Sequence, residues 1–293
     1  MKVIQVCSNR KKVKNIPQVD ILLWAASICA YKNLGYKVKL YCAEGDLDFL
    51  YENHLYELYD EVDSILLTNN EQLAKVDENI FWACRKIEAI WNEFDLGEEF
   101  FYSDNDILMF NPIDFNYDLV IWSPENHASS GSIYIDWQYL GKPQGYALPE
   151  WLINVNDAYN CGILYFRSKA LYADYRNEFY KYVIGNKGTV DFAGERLLNN
   201  YNVINVQMCN AEQRILKGWA NYRNLSVGMI MTSKSRGLCP YGHHYFWYRA
   251  AWRIRGVLLE TVYINMINKC KQILESYHLE YFLNKRYSLT KYE

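Results

Sequence analysis

The amino-terminal half of the chain alternates between short apolar stretches and longer segments of helical periodicity, which limits the folds open to it. Apolar runs and period-two patterns predict strands at residues 2–7, 36–42, 64–67 and 119–122. Amphipathic periodicity predicts helices at residues 20–33, 47–58 and 80–94. Alternating strands and helices are typical of a mostly parallel sheet with helices on both faces, so we expect an α/β fold. In such a sheet the ligand binds beyond the carboxyl ends of the strands.

The carboxyl-terminal half has less regular patterns. Residues 123–158 are irregular, and beyond them we expect strands at 160–167 and 203–208 and helices at 171–183 and 193–200. The last helix, predicted at 257–282, is amphipathic and suits either packing against the domain or lying on a membrane surface. Its glutamates favour packing. We therefore expect one domain over residues 1–255 and a helical extension, 256–293, packed on it.

Composition narrows the possible partners and compartments. The formal net charge is −3 and the isoelectric point about 6.0, so the chain as a whole has no positive electrostatic potential that would attract nucleic acid. The eight cysteines are widely spaced and include no Cys-x-x-Cys pair, so we expect free thiols in a reducing compartment. The first residues resemble a strand rather than a signal peptide, and the longest apolar run, 21–31, is too short to cross a bilayer. We expect a cytoplasmic protein, and peripheral contact with the inner face of a membrane is an open alternative.

An acidic triplet, Asp104-Asn105-Asp106, lies between the apolar stretches FFY and ILMF. Residues two apart on an extended segment point to the same side, so Asp104 and Asp106 would address one point. Two carboxylates at one point repel each other unless a cation lies between them, and Mg²⁺ or Mn²⁺ suits such ligands. Such an ion can bridge the phosphates of a nucleotide. The alternative is a polar turn with solvated carboxylates.

A second candidate is the pair His243 and His244, which lies among aromatic residues. Imidazole is a common further ligand for a Mn²⁺-like ion held by carboxylates. The alternative is a histidine packed among aromatic rings with no ligand role.

These features together resemble the glycosyltransferases of the GT-A fold, and family 8 in particular. The residues that carry the resemblance are the D-x-D after a hydrophobic strand, the strand Tyr159-Asn160-Cys161-Gly162-Ile163-Leu164 in place of YFNSGVLL, and His244-Tyr245 eight residues before Trp252. Residues 194–199 stand where that family has DQDALN, with Gly194 and Arg196 at the first and third positions. The lysine and proline of the family's KPW segment are absent. The resemblance covers roughly residues 1–252 and implies a Rossmann-like mixed sheet flanked by helices.

The resemblance also implies roles for individual residues. Mn²⁺ or Mg²⁺ would be bound by Asp104, Asp106 and either His244 or His243. The expected residues for the nucleotide-sugar donor are Cys7, Ser8, Asn9, Lys86, Asp104, Asn105, Asn160 and Gly162. For Lys86 the alternative is a solvated helix face. Glu195 would act as nucleophile, as general base or as a stabiliser of a cationic sugar, and Asp157 is the alternative acid or base. A surface helix glutamate is the non-catalytic interpretation of Glu195.

The function expected from the resemblance is metal-dependent transfer of a sugar from a nucleotide diphosphate sugar, with a UDP-sugar and retention of configuration favoured. The acceptor would be a hydroxyl group of a glycan or of a lipid-linked molecule. One alternative is a metal-dependent nucleotidyltransferase, which would have a glycine-rich basic loop after the first strand. Here that stretch is CSNRKKVKN, which is basic but contains no glycine. The other alternative is a non-catalytic paralogue that binds sugar nucleotides.

Overall fold

A computed structural model describes residues 1–7, 16–125, 133–190, 203–231, 242–244 and 260–285. Its strands are β1 (Lys2–Val6), β2 (Lys37–Tyr41), β3 (Glu61–Asp63), β4 (Phe100–Ser103), β5 (Ile107–Met109), β6 (Leu119–Glu125), β7 (Ala158–Phe166), β8 (Val227–Met229) and β9 (Gly242–His244). Its helices are α1 (Gln18–Asn33), α2 (Leu47–Glu52), α3 (Cys84–Leu96), α4 (Glu150–Ile153), α5 (Lys169–Val183), α6 (Val203–Cys209), α7 (Ile215–Tyr222), α8 (Glu260–Glu275) and α9 (Glu280–Leu283). The described strands form one mixed sheet of seven and one ribbon of two. The protein therefore has the expected α/β, Rossmann-like fold.

The chain divides into two compact units. Unit 1 comprises Met1–Thr68, Ser103–Ile113 and Cys239–Glu293, and unit 2 comprises Asn69–Tyr102 and Asp114–Leu238. The domain boundary expected between residues 255 and 256 lies outside the described residues.

In unit 1 the strands β1, β2 and β3 pair in parallel, with α1 as the connection between β1 and β2. Twelve residues of α1 are buried on all sides of the helix, as expected for a helix inside a layered α/β fold. The strand predicted at 64–67 is wrong, because β3 ends at Asp63. The Asp63 carboxylate accepts hydrogen bonds from the backbone N–H groups of Ile65 and Leu66, and this turns the chain away from the sheet.

The carboxyl-terminal helix is shorter than predicted. Helix α8 ends at Glu275, and His278 adopts a left-handed backbone conformation, with φ of 53°, that a helix cannot continue. The buried residues of α8 are Met266, Cys270, Ile273 and Leu274, and the helix packs against α1 within unit 1. This supports packing over the membrane-surface alternative. The predicted helix at 47–58 is likewise broken, because α2 ends at Glu52 and His54 has φ of 54°.

In unit 2 the strand order is β4-β7-β6-β8. Strands β6 and β7 are antiparallel with an irregularity between Ile121 and Ser123, whereas β6 and β8 are parallel. Helices α3 and α5 pack against each other, and an aromatic cluster lies inside the unit. Its members are Phe166, Tyr172, Tyr175, Phe179 and Trp219. Much of the aromatic content of the chain is therefore ordinary core.

The strand predicted at 203–208 is wrong, because this segment is helix α6. It continues through one wider π-helical turn, Asn210–Arg214, into α7. A short apolar run does not distinguish a strand from a buried helix segment. Here the buried positions include Val206, Asn210 and Arg214, which are four residues apart. Two of these three are polar, so apolar periodicity could not reveal the helix.

Two further expectations concern cysteines and membranes. The seven cysteines in the described part of the chain are free, as expected. Burial raises the pKa of Cys29 to about 12, while the charge of Lys32 lowers it, so that thiol is neutral at physiological pH. Among the described helices, none has the length and apolarity needed to cross a bilayer.

Candidate functional site

The acidic triplet forms the connection between β4 and β5. Asp104 and Asn105 are half-buried, and Asp106 is 6% exposed. The expectation of an extended segment is wrong at this point, because Asn105 and Asp106 form a turn. Any convergence of the two carboxylates therefore depends on the shape of this turn and not on strand alternation. A carboxylate as buried as that of Asp106 needs hydrogen bonds or a cation to offset its desolvation.

The predicted histidine pair lies on the strand that pairs with β5. Strands β5 and β9 are antiparallel, and the register places the backbone of His244 opposite Ile107 and that of His243 opposite Leu108. Ile107 directly follows Asp106. The fold of unit 1 thus places the backbone of both predicted histidine ligands beside the segment that follows the acidic triplet. The side chains of the two histidines are outside the described part of the structure.

The described side chains of the acidic triplet offer carboxylates as ligands for a divalent ion. Among the side chains that the structure describes, no group of three His, Cys, Asp or Glu residues could hold a metal ion. The described candidates are the carboxylates of Asp104 and Asp106. One or two carboxylates with substrate phosphates and water are a usual ligand set for Mg²⁺. The residues present therefore suit a hard cation that is bound together with a phosphorylated substrate.

The residues before and after the triplet are held by helix α1. Tyr31 and Ser103 share a hydrogen bond of 2.6 Å between their hydroxyl oxygens, and the Ser27 hydroxyl donates to the Ile107 carbonyl at 2.7 Å. Burial raises the pKa of Tyr31, and the carboxylates of Asp104 and Asp106 raise it further against the opposing effect of Ser103. The phenol is therefore neutral. Because the Ser103 hydroxyl donates to the Asp104 carbonyl, Tyr31 is the donor in its bond to Ser103.

In unit 2, Lys86 on α3 is 3% exposed, so the alternative of a solvated helix face is wrong. Its Nζ lies 2.6 Å from Oε1 of Glu212, in the π-helical turn, and donates to the carbonyl of Cys161 at 3.1 Å. It also lies 4.5 Å from the ring centre of Tyr102. Glu212 is itself 1% exposed. Because both charges are desolvated, each depends on the other for compensation.

A second buried polar group surrounds Asn160. Its Nδ2 donates to Oε1 of Glu125 at 2.7 Å, and its Oδ1 accepts from the backbone N–H of Gly162 at 2.9 Å. Tyr134 donates its hydroxyl proton to the other carboxylate oxygen of Glu125. Burial raises the pKa of Tyr134, and the negative charge of Glu125 raises it further. The structure thus brings the predicted residues Asn160 and Gly162 together around a buried carboxylate at the carboxyl end of β6.

The other predicted residues are dispersed or lie outside the described part. Cys7 is buried directly after β1, and its backbone N–H donates to the Tyr41 carbonyl at 2.8 Å. The side chain of Asp157 is 48% exposed and lies 3.8 Å from Nζ of Lys217. Ser8, Asn9 and Glu195 are outside the described residues.

Sequence reasoning missed Glu125, Tyr134 and Glu212. Glu125 ends a strand whose predicted end was Trp122, and the carboxyl-terminal position could have indicated it. Glu212 was missed because the segment before it was predicted as a strand. Tyr134 lies in the irregular segment after β6, where the sequence has no periodic signal.

Comparisons with known proteins give a weak structural resemblance and no match in sequence. No protein-family model matches it, and no curated protein matches it. Among solved structures, the chain resembles one described as PaToxG Glycosyltransferase, with 12% sequence identity and a TM-score of 0.35. The alignment covers 98% of this chain and 84% of that one.

Proposed function

We propose that the chain is a metal-dependent glycosyltransferase that uses a nucleotide diphosphate sugar, with a UDP-sugar favoured. The pairing of β5 with β9 carries the proposal, because it joins the histidine strand to the segment after the acidic triplet. These two motifs are far apart in the sequence, at residues 104–106 and 243–244. A chance D-x-D in a solvated turn gives no reason for a His-His strand to pair beside it.

The proposed metal site consists of Asp104 and Asp106, with His244 or His243 as a further ligand. A bound Mn²⁺ or Mg²⁺ would neutralise the charge on the diphosphate leaving group. Asp104 lies beside a short turn and Asp106 within it, in partly buried surroundings whose lower dielectric would strengthen the attraction of both carboxylates for a cation. We assign Asn105, which lies between them in the sequence, to the contacts with the donor.

The proposed sugar site lies in unit 2. Asn160 is fixed on both sides by Glu125 and Gly162, so its amide has a defined orientation. We assign Lys86, Asn160 and Gly162 to the surroundings of the donor sugar, and Cys7, Ser8 and Asn9 to those of the base and ribose. Glu195, or Asp157 as the alternative, would act on the reacting carbon or on the acceptor hydroxyl. The acceptor is proposed to be a glycan or a lipid-linked molecule, and the location the cytoplasm.

The decisive experiment combines thermal shift with nucleotide release. The protein is incubated with Mn²⁺ and a panel of nucleotide sugars, alongside variants Asp104→Asn and Asp106→Asn. Asp95→Asn is the control, because Asp95 is a half-exposed surface carboxylate. We expect a UDP-sugar to raise the melting temperature and release UDP. Each triplet variant should lower the rate by more than the about 10- to 100-fold typical of losing an outer-shell partner, and the control should match wild type.

The possible outcomes also separate the alternatives. Release of pyrophosphate from a nucleoside triphosphate and a sugar phosphate would indicate a nucleotidyltransferase. A metal-dependent thermal shift without turnover would indicate a non-catalytic paralogue. No shift with any nucleotide sugar, with or without metal, would overturn the proposal.

A further inference from the structure

Two hydroxyl groups on one side of α1 hold the main chain at both ends of the acidic triplet. Ser27 and Tyr31 are four residues apart and therefore neighbours on the helix surface. Ser27 donates to the carbonyl of Ile107, one residue after the triplet. Tyr31 donates to Ser103, whose own hydroxyl donates to the carbonyl of Asp104 at 2.9 Å. The turn is therefore fixed before and after the two carboxylates.

The hydroxyl of Ser27 is itself held by a buried chain of hydrogen bonds. Gln5 on β1 donates its amide N–H to Ser27 at 3.1 Å and accepts a bond from the Tyr59 hydroxyl at 2.7 Å. Trp24 donates its indole N–H to that same hydroxyl. All four side chains in this series of hydrogen bonds are buried, so the bonds reinforce one another in a medium of low dielectric.

We propose that Tyr31 and Ser27 are positioning residues for the metal-binding carboxylates of the acidic triplet. The inference rests on the proposed function, since it assigns a task to helix α1 at that same site. Mg²⁺ and related hard cations tolerate little displacement of their oxygen ligands. A turn fixed at both ends presents Asp104 and Asp106 in one arrangement before the cation arrives, so binding does not have to order the turn.

A purely structural role makes a different prediction. Most of helix α1, from Ile21 to Tyr31, is buried, and Tyr31→Phe keeps the aromatic ring in place. If the hydroxyl served only stability, its loss would lower the melting temperature and leave metal affinity unchanged. Tyr172→Phe is the matched control. Tyr172 is equally buried, donates to the Ile87 carbonyl at 2.6 Å, and lies in unit 2, away from the triplet in sequence.

The test is a Mn²⁺ titration of the full chain followed by electron paramagnetic resonance of the free ion. We expect Tyr31→Phe and Ser27→Ala to weaken Mn²⁺ binding about 10-fold, the lower end of the effect of outer-shell partners. Tyr172→Phe should stay within about twofold of wild type. The Tyr31 and Tyr172 variants should lose similar thermal stability, because each loses one buried hydrogen bond.

Hydrogen–deuterium exchange of the peptide that contains residues 103–107 provides a second measurement that needs no metal. We expect faster exchange in Tyr31→Phe and Ser27→Ala than in wild type, and no change in Tyr172→Phe. Equal Mn²⁺ affinities in the Tyr31 and Tyr172 variants, or unchanged exchange at 103–107, would overturn the positioning role while the proposed function stands. Absence of Mn²⁺ binding by wild-type protein, measured with and without UDP, would overturn the metal site and the positioning role with it.

Discussion

At the scale of single residues, Lys86 shows the clearest difference between the solvated side chain expected on an amphipathic helix and the buried side chain in the structure. A lysine on an amphipathic helix is most often solvated, yet Lys86 is buried against Glu212 and the Cys161 carbonyl. The π-helical turn that carries Glu212 widens the helix at the point where this carboxylate meets the ammonium. Such turns are frequent at functional sites, which is consistent with the proposed placement of Lys86 near the donor sugar.

The ion pair yields a stability prediction. Lys86→Met removes one partner of a buried ion pair, so we expect a loss of about 3–5 kcal/mol in the free energy of unfolding. Urea denaturation monitored by circular dichroism measures it. Lys169→Met is the control, because its pair with Asp95 is half-exposed and should contribute only about 0–1 kcal/mol. The double variant Lys86→Met, Glu212→Gln should recover part of the loss. Equal losses in the two lysine variants would contradict the burial argument.

At the scale of helices and strands, the sequence predicted the elements whose periodicity is supported by apolar residues. Strands β1, β2, β6 and β7 and helices α1, α3 and α5 lie close to their predicted positions. The wrong predictions share a physical cause. Local side-chain hydrogen bonds and buried polar residues determine structure there, and neither produces a pattern of apolar residues in the sequence. Asp63 ends β3 through such bonds, and the polar interior of the π-helical turn concealed the helix that follows residue 203.

The candidate site residues could be proposed from the sequence only where the polar and apolar pattern marks them. Asp104 and Asp106 were selected because a polar triplet interrupts an apolar pattern, and the histidines because two are adjacent. The turn geometry and the α1 hydroxyls could not be found, since they depend on contacts between elements distant in the sequence. Ser27 lies in an apolar helix and has no sequence signal that distinguishes it from any small residue.

Arg214 links the π-helical turn to the irregular segment after β6, and this gives a prediction about that segment. The guanidinium is 1% exposed, donates to the carbonyls of Val155 and Ile135 at 2.5 Å each, and lies 4.4 Å from the ring centre of Trp137. Arg214→Leu removes this donor from two buried carbonyls, and each loss should lower the free energy of unfolding by about 1–3 kcal/mol. We expect faster hydrogen–deuterium exchange across residues 135–155 and a lower melting temperature.

The control for this prediction is Arg223→Leu. Arg223 is about half-exposed and pairs with Asp174 near the end of α7, so its loss should change exchange at 135–155 little. If both arginine variants behave alike in that segment, Arg214 does not anchor it.

At the scale of the whole molecule, the 27 tyrosines make the protein sensitive to alkali. Burial is the largest cause of the raised pKa of several tyrosines, and six of these lie in the interior of the described part of the chain: Tyr31, Tyr134, Tyr172, Tyr175, Tyr180 and Tyr182. Some groups have a higher pKa in the folded protein than in the unfolded protein. Such a group makes its full contribution to stability at any pH below its pKa in the unfolded protein. That stabilisation falls as the pH rises through the interval between the two pKa values.

The interval starts near pH 10, the ordinary tyrosine pKa. Above that pH each buried tyrosine lowers the free energy of unfolding by about 1.4 kcal/mol per pH unit. Six such groups lose about 8 kcal/mol per unit, which is comparable with a typical total stability of about 5–15 kcal/mol. We therefore expect one cooperative alkaline unfolding transition between about pH 10 and 12. Tyrosinate absorbance at 295 nm should show exposed tyrosines titrating near pH 10, and a second step should coincide with loss of the circular dichroism signal. A single gradual titration of all tyrosines, with secondary structure intact, would contradict the burial of these phenols.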